Sequence, residues 1–275
     1  MQPIEDFFNS IVNLPSLPKV VQEVMQMLND DSVDINLLAS TIEQDPVIAA
    51  KVLKMANSSF YGVTRGVKNI DDAVAILGLA KLRSLVIACG VTGVITHVPG
   101  LDLKRFWSHS LLSAGISREL AKELRLDAEV AYIAGLLHNI GDLLLHLVFP
   151  VMASEVDAIC ADASAEKRRL VERDVIGYDH CQIGEELALR WSFPSEILRV
   201  LASYTSPLDK GACGLAPVIY LAAHIAQGLV RGDQTDAIVL SLNAEVSDHL
   251  KLSQDDLLPS IERYRCLLQE AIAII

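Results

Sequence analysis

The sequence predicts an all-α fold, and three observations carry that expectation. Apolar residues recur at steps of three and four along most of the chain, alternating period-two runs are nearly absent, and helix-start signals such as Asp45-Pro46 punctuate the pattern. At 3.6 residues per turn, positions i, i+3 and i+4 share one helix face, so this spacing marks a buried stripe. A half-buried strand would alternate instead.

Taken in order, Val20, Val21, Val24, Met25 and Leu28 form the first stripe, with Ser16 as its cap and Pro18 near its first turn. Leu37, Leu38, Thr41 and Ile42 give a second, short helix. Asp45-Pro46 reads as an N-cap followed by proline at the first helical position, opening a helix with Val47, Ile48, Ala50, Val52 and Leu53 that ends around Ala56-Asn57-Ser58. Residues 59–66 contain two glycines and read as a loop, whose Phe60 and Tyr61 either pack locally or face a partner. Asn69 through Leu77 forms a further helix, with Asp71 and Asp72 near its positive end and Gly78 closing it; Lys81 through Ala88 restarts one. Val98-Pro99-Gly100 is a break, dividing an N-terminal helical subdomain (1–97) from a second helical subdomain (98–275). Helices are expected there at 103–125, 128–147, 150–161, 164–175, 179–191, 194–203, 215–230, 235–243 and 255–273.

Composition narrows the function classes. Of 275 residues, 51% are hydrophobic and 21% charged, which suits a globular core. A net charge of −12 argues against non-specific nucleic-acid binding, which needs a dense basic surface, and no nucleic-acid partner is expected. The five cysteines (Cys89, Cys160, Cys181, Cys213 and Cys266) are scattered, with no CxxC pair, so neither a disulfide framework nor a thiolate zinc site is expected. The start, Met-Gln-Pro-Ile-Glu-Asp-Phe-Phe, has no signal-peptide pattern. The most membrane-like stretch, 131–152, is interrupted by His138, Asn139, Gly141, Asp142, His146 and Pro150 and reads as a buried helix. A cytoplasmic protein without a membrane partner is the expectation.

The chemistry-bearing motif is residues 134–142, Ala-Gly-Leu-Leu-His-Asn-Ile-Gly-Asp. A His-Asp pair here would offer an imidazole and an anionic carboxylate to a hard divalent metal. With Asn139 the carboxylate is replaced by a neutral amide, a weaker oxygen ligand.

In its motifs the chain resembles the HDOD family, the divergent branch of the HD metal-dependent phosphohydrolase superfamily. Leu14-Pro15-Ser16-Leu17-Pro18-Lys19-Val20 carries the likeness, as do Ile42-Glu43-Gln44-Asp45-Pro46 running into Lys51 through Ser58, and Ile70-Asp71-Asp72-Ala73-Val74 with Leu77-Gly78 and Leu82-Arg83. The second half resembles the HD core through Phe106-Trp107-Ser108-His109-Ser110, Gly135 through Gly141, and Gly177-Tyr178-Asp179-His180 with Ile183-Gly184. The resemblance implies an HDOD-type helical bundle, an N-terminal subdomain packed on an HD-like core, and signal transduction through partner proteins.

It also implies metal ligands, several of which are missing. His109, His138 and His180 stand at ligand positions, but Asn139 replaces the aspartate. Ala202 through Pro207 falls where active relatives carry paired histidines, Ala223 aligns with the last aspartate, and Asp142 stands where a lysine often follows. Asp142, four residues after His138, could bind a metal itself or orient His138. His224 is one step, about 100° of helix rotation, from the lost aspartate position and is poorly placed to replace it. Two readings stay open. One has His109, His138, Asp142 and His180 as vestigial ligands in a non-catalytic regulatory module that needs no cofactor and binds signalling proteins, or a nucleotide or phosphorylated ligand. The other is a residual phosphohydrolase holding manganese, iron, nickel or zinc.

Other features read as structural. Residues 70–88 have a helix-turn-helix outline, yet the second helix continues in core residues. Asp45 and Asn57 read as caps, His97, His146 and His249 have no motif context, and the Glu166-Lys167-Arg168-Arg169 run reads as a solvated helix face.

Overall fold

The computed structural model describes residues 3–11, 14–27, 34–58, 66–161 and 163–274, with side chains to 268. Leu28 and the Phe60-Tyr61-Gly62 segment lie outside the described residues. All regular structure among the described residues is helical, as the apolar spacing predicts. By contacts the chain forms two units, residues 15–96 with 265–275, and residues 1–14 with 97–264. The 1–97/98–275 division therefore differs at both ends. The segment 1–14 carries a helix that the sequence reading lacks, α1 (Ile4–Asn9), whose Phe7 and Phe8 are buried. Six residues are too few for a helical period to register.

The smaller unit comprises α2 (Lys19–Gln26), α3 (Ile35–Glu43), α4 (Pro46–Ala56), α5 (Ile70–Leu77) and α6 (Leu79–Val94). Helix α2 starts after Pro18, with no side-chain cap from Ser16. Helix α6 is buried continuously from Leu82 to Val91, and a Cβ at Gly90 would overlap the Val21 side chain of α2. Such a helix has no polar face to offer a DNA groove. At α4, Asp45 Oδ1 accepts hydrogen bonds from the Val47 and Ile48 amides at 3.0 and 3.1 Å. Asp45→Ala is expected to cost about 1 kcal/mol, the usual worth of an N-cap, read as a lower urea midpoint. Asn57 does more than cap: its amide donates to the Leu53 and Val67 carbonyls and accepts from the Val67 amide, tying residue 67 back to the end of α4. Asn69 caps α5, and Gly78 adopts φ 79°, which favours glycine between α5 and α6.

The larger unit adds α7 (Leu103–Glu123), α8 (Ala128–Leu137), α9 (Ile140–Val148), α10 (Pro150–Ile159), α11 (Ala165–Val175), α12 (His180–Arg190), α13 (Ser195–Ser203), α14 (Ala216–Arg231), α15 (Thr235–Ser241), α16 (Ala244–His249) and the start of α17 (Gln254–Ile274). Helix α16 is absent from the sequence reading. The single helix expected over 128–147 is two, broken at His138-Asn139. Residues 128–148 are apolar and long enough to cross a membrane, but 78% of their most apolar window is buried in the fold.

Two close crossings organise this unit. Helix α8 lies on α7, and a Cβ at Gly135 would sit 2.6 Å from Ser117 Oγ and 3.0 Å from the Ala114 backbone. Helix α9 crosses α12 at Gly141 and Gly184, where a Cβ on Gly141 would overlap the His180 carbonyl. Together with α14 against α7, these crossings bring the ends of α8 and α12 and the middle of α7 to one place.

Candidate functional site

His109 projects from α7, His138 ends α8 and His180 begins α12. The structure brings two of them ring to ring: the His109 and His138 centroids are 5.1 Å apart. Tyr204, just past α13, links the third, with its ring 5.3 Å from His138 and 5.8 Å from His180. The segment aligned with the paired histidines of active relatives thus sends an aromatic ring among the remaining three.

Hydrogen bonds decide what each imidazole can still do. His109 Nε2 lies 3.1 Å from the Ala223 carbonyl, and its Nδ1 is 3.4 Å from the Asn139 amide nitrogen. Asn139 Oδ1 in turn accepts from Ser110 Oγ at 3.0 Å. The self-consistent assignment is a neutral His109 that donates from Nε2 and accepts at Nδ1. Burial, only partly offset by the Ala223 bond, lowers the His109 pKa and favours that form. His138 donates from Nδ1 to the Gly135 carbonyl at 2.7 Å, which leaves a lone pair on Nε2. Its pKa is held well below the ordinary value by burial and by neighbouring His109.

His180 is the opposite case. Its Nδ1 lies 2.5 Å from Glu172 Oε2 and its Nε2 2.8 Å from the Tyr204 hydroxyl. Glu172 Oε2 also accepts from the His180 amide at 2.9 Å. Burial opposes charge on this ring, but the acidic groups around it (Cys181, Tyr204 and Glu172) outweigh burial and raise its pKa well above that of a free imidazole. A protonated His180 donates from both nitrogens and has no lone pair for a metal.

Asp142 is not aimed at His138 but joins an ion-pair network that reaches His180 through Arg168 and Glu172. The break at 138–139 starts a new helix, and the Asp142 carboxylate meets Arg168 Nη2 at 2.6 Å and lies 3.5 Å from His146 Nδ1. Arg168 also reaches Asp157 at 2.8 Å and Glu172 at 2.9 Å. His146 Nδ1 donates to the Asp142 carbonyl at 2.9 Å, and Nε2 to Asp157 at 2.9 Å. Despite its burial, Asp142 has a pKa far below the carboxylate range because Arg168 and His146 flank it. Three carboxylates (Asp142, Asp157, Glu172) thus face three cations (Arg168, His146, His180), and the network is neutral. His224 points elsewhere, to Ser241 Oγ at 2.9 Å, consistent with its one-step rotation from Ala223.

Residues 14–207 match the family model for the HDOD domain. The chain belongs to the HDOD domain family. Its structure is similar to that of a Shewanella amazonensis SB2B protein named, provisionally, a phosphohydrolase: 30% identity, 98% of this chain and 97% of that one covered, TM-score 0.81. It is also similar to an HDOD domain protein of unknown function from Geobacter sulfurreducens, at 26% identity with 97% and 96% covered and a TM-score of 0.78. Among curated proteins, an uncharacterized protein of Treponema pallidum (strain Nichols) is 28% identical over 195 residues, which is 70% of this chain and 37% of that protein. The chain therefore spans just over a third of that relative.

Several residues of this HDOD site escape sequence reasoning. Arg168 is not on a solvated face, and Arg169 and Arg173 also turn inward, onto the buried carboxylate of Asp179. Glu172, fully buried, carries no motif signal except its i, i+4 spacing from Arg168. His146, without motif context in the sequence, has a fully buried ring.

His146 makes a pH prediction. Burial works against its charge, but hydrogen bonds to Asp142 and Asp157 raise its pKa to about 10. The resulting stabilisation is complete below 6.5, the ordinary histidine value, and is lost as pH rises through about 10. The Tm difference between the HDOD protein and its His146→Gln variant is expected to shrink from pH 6.5 to 10. A constant difference in differential scanning fluorimetry would refute it.

Proposed function

We propose that this HDOD protein is a cytoplasmic bacterial regulatory module that works by binding signalling proteins and does not turn over phosphoesters. One observation carries the reading: of the three candidate histidines, His138 alone keeps an uncommitted ring lone pair, while His109 and His180 have both nitrogens engaged and Asp142 is ion-paired. Phosphoester hydrolysis in this superfamily needs several ligands converging on a metal that acidifies water. The donor set as arranged here does not fit that metal, since neither a protonated imidazole nor an aspartate tied to arginine is a ready ligand. Family membership supports the signalling part of the proposal, as HDOD resemblance implies action through partners.

The test is metal content by plasma mass spectrometry after incubation with manganese, iron, zinc or nickel, alongside hydrolysis of bis(p-nitrophenyl) phosphate. We expect no stoichiometric metal that depends on His138 and no metal-stimulated hydrolysis. Near-stoichiometric metal lost in His138→Ala, with turnover lost alongside, would establish the residual phosphohydrolase instead, a reading favoured by the free Nε2 of His138 and by the Shewanella relative's name. Cross-linking affinity purification that returns no reproducible partner would count against the binding role.

A further inference from the structure

Asp142, His146 and Asp157 each offer one ligand atom, and all three atoms lie within 4.8 Å of one another. Carboxylate, imidazole and carboxylate are a borderline-metal donor set. His146 is also oriented for that task, because its Nδ1 is spent on the Asp142 carbonyl, leaving Nε2 directed at Asp157. Metal-binding histidines commonly have the second nitrogen fixed in this way. What occupies the cluster is Arg168, whose Nη2 bridges Asp142 Oδ1 at 2.6 Å and Asp157 Oδ1 at 2.8 Å. The side chain is held there by its Nε bond to the fully buried Glu172.

We infer that Arg168 stands in for a divalent cation, closing an Asp142–His146–Asp157 site that takes zinc or cobalt when the guanidinium is withdrawn. Charge balances in the exchange. Removing Arg168 takes away one positive charge, release of the His146 proton from Nε2 takes a second, and one divalent ion restores both. The site's three donors are none of His109, His138 and His180, although Glu172 connects Arg168 to His180. The consequence for the natural protein is that its carboxylates are neutralised from within, so folding of this region does not depend on metal supply. The inference rests on the non-catalytic reading only in expecting the natural chain to be metal-free.

The test is cobalt(II) and zinc titration of the full chain, by calorimetry and by the cobalt visible spectrum. The natural protein and Arg168→Lys are expected to give flat titrations. Arg168→Ala is expected to bind one equivalent with a ligand-field absorption, and Arg168→Ala/His146→Ala to lose at least about tenfold in affinity. Should Arg168→Ala purify unfolded, zinc added during refolding must restore its helical circular dichroism. A folded Arg168→Ala that takes no metal, an unfolded one that zinc does not rescue, or a natural protein that binds cobalt through His146 would each overturn the inference. Metal bound through His138 would instead sink the non-catalytic reading, so the two failures are told apart by which histidine variant abolishes binding.

Discussion

Gly141→Ala is expected to be the most damaging single methyl group in the larger unit. The added Cβ would overlap the His180 carbonyl and lie 2.7 Å from the Gly184 amide nitrogen. These are backbone atoms, so no side chain can rotate away, and α9 and α12 must separate. Overpacking of a core typically costs about 1–3 kcal/mol, and the upper end or beyond is expected when backbone meets backbone. For a unit of this size about 3 kcal/mol lowers Tm by roughly 6–12 °C. Thermal melts by circular dichroism would show it, and a shift under about 2 °C would mean the crossing is looser than described. Gly184→Ala is the natural comparison. Its Cβ would have 3.5 Å of clearance from Gly141 and Ile140, so a far smaller loss is expected.

Glu172→Ala is expected to cost as much or more. This carboxylate is fully buried and holds two cations, Arg168 through Oε1 and His180 through Oε2, and it also accepts the His180 amide. Deleting it leaves both cations short of a partner and an N–H unsatisfied. Breaking a buried pair by removing one side typically costs about 3–5 kcal/mol. Glu172→Gln keeps an oxygen for the His180 amide and should lose less. The discriminating readout is the His180 imidazole by NMR: losing the carboxylate must lower its pKa, because burial then works with one counter-charge fewer. Urea melts of both variants that match the natural protein would show that the network contributes little to stability.

Much of this architecture is legible in one sequence for local reasons. The Asp45-Pro46 start and the Gly78 stop act within one helical turn, so residue identity suffices to place them. The helices α4, α7 and α14 follow from period alone, although Val47, one of the apolar residues read for α4, is 65% exposed. The lesion in the HD motif is equally local, since Asn139 can be read off the page. Short elements are not legible in this way: α1 and α16 have six residues each, too few to establish a period.

The break between α8 and α9 shows where local reasoning stops. Residues 128–147 have unbroken helical character, and the rule that i and i+4 share a face placed Asp142 beside His138. The chain instead turns at His138-Asn139, so His138 faces His109 and Tyr204 while Asp142 faces Arg168. Arg168 is the converse case. In a mixed run of charges it looks solvated, because nothing nearby in sequence reveals that Asp142 and Asp157 converge on it from other helices.

By itself, then, the sequence determined the all-α class, the family, the Asp45 cap and the loss of the motif's carboxylate. These are properties of residue type and of spacings shorter than two turns. Tertiary structure alone decided the protonation and partners of the histidines. Charge state depends on burial and on groups brought from α7, α10, α11 and α14, separated by tens of residues along the chain. It also decided that an arginine, supplied by the protein itself, balances the carboxylates left in this fold.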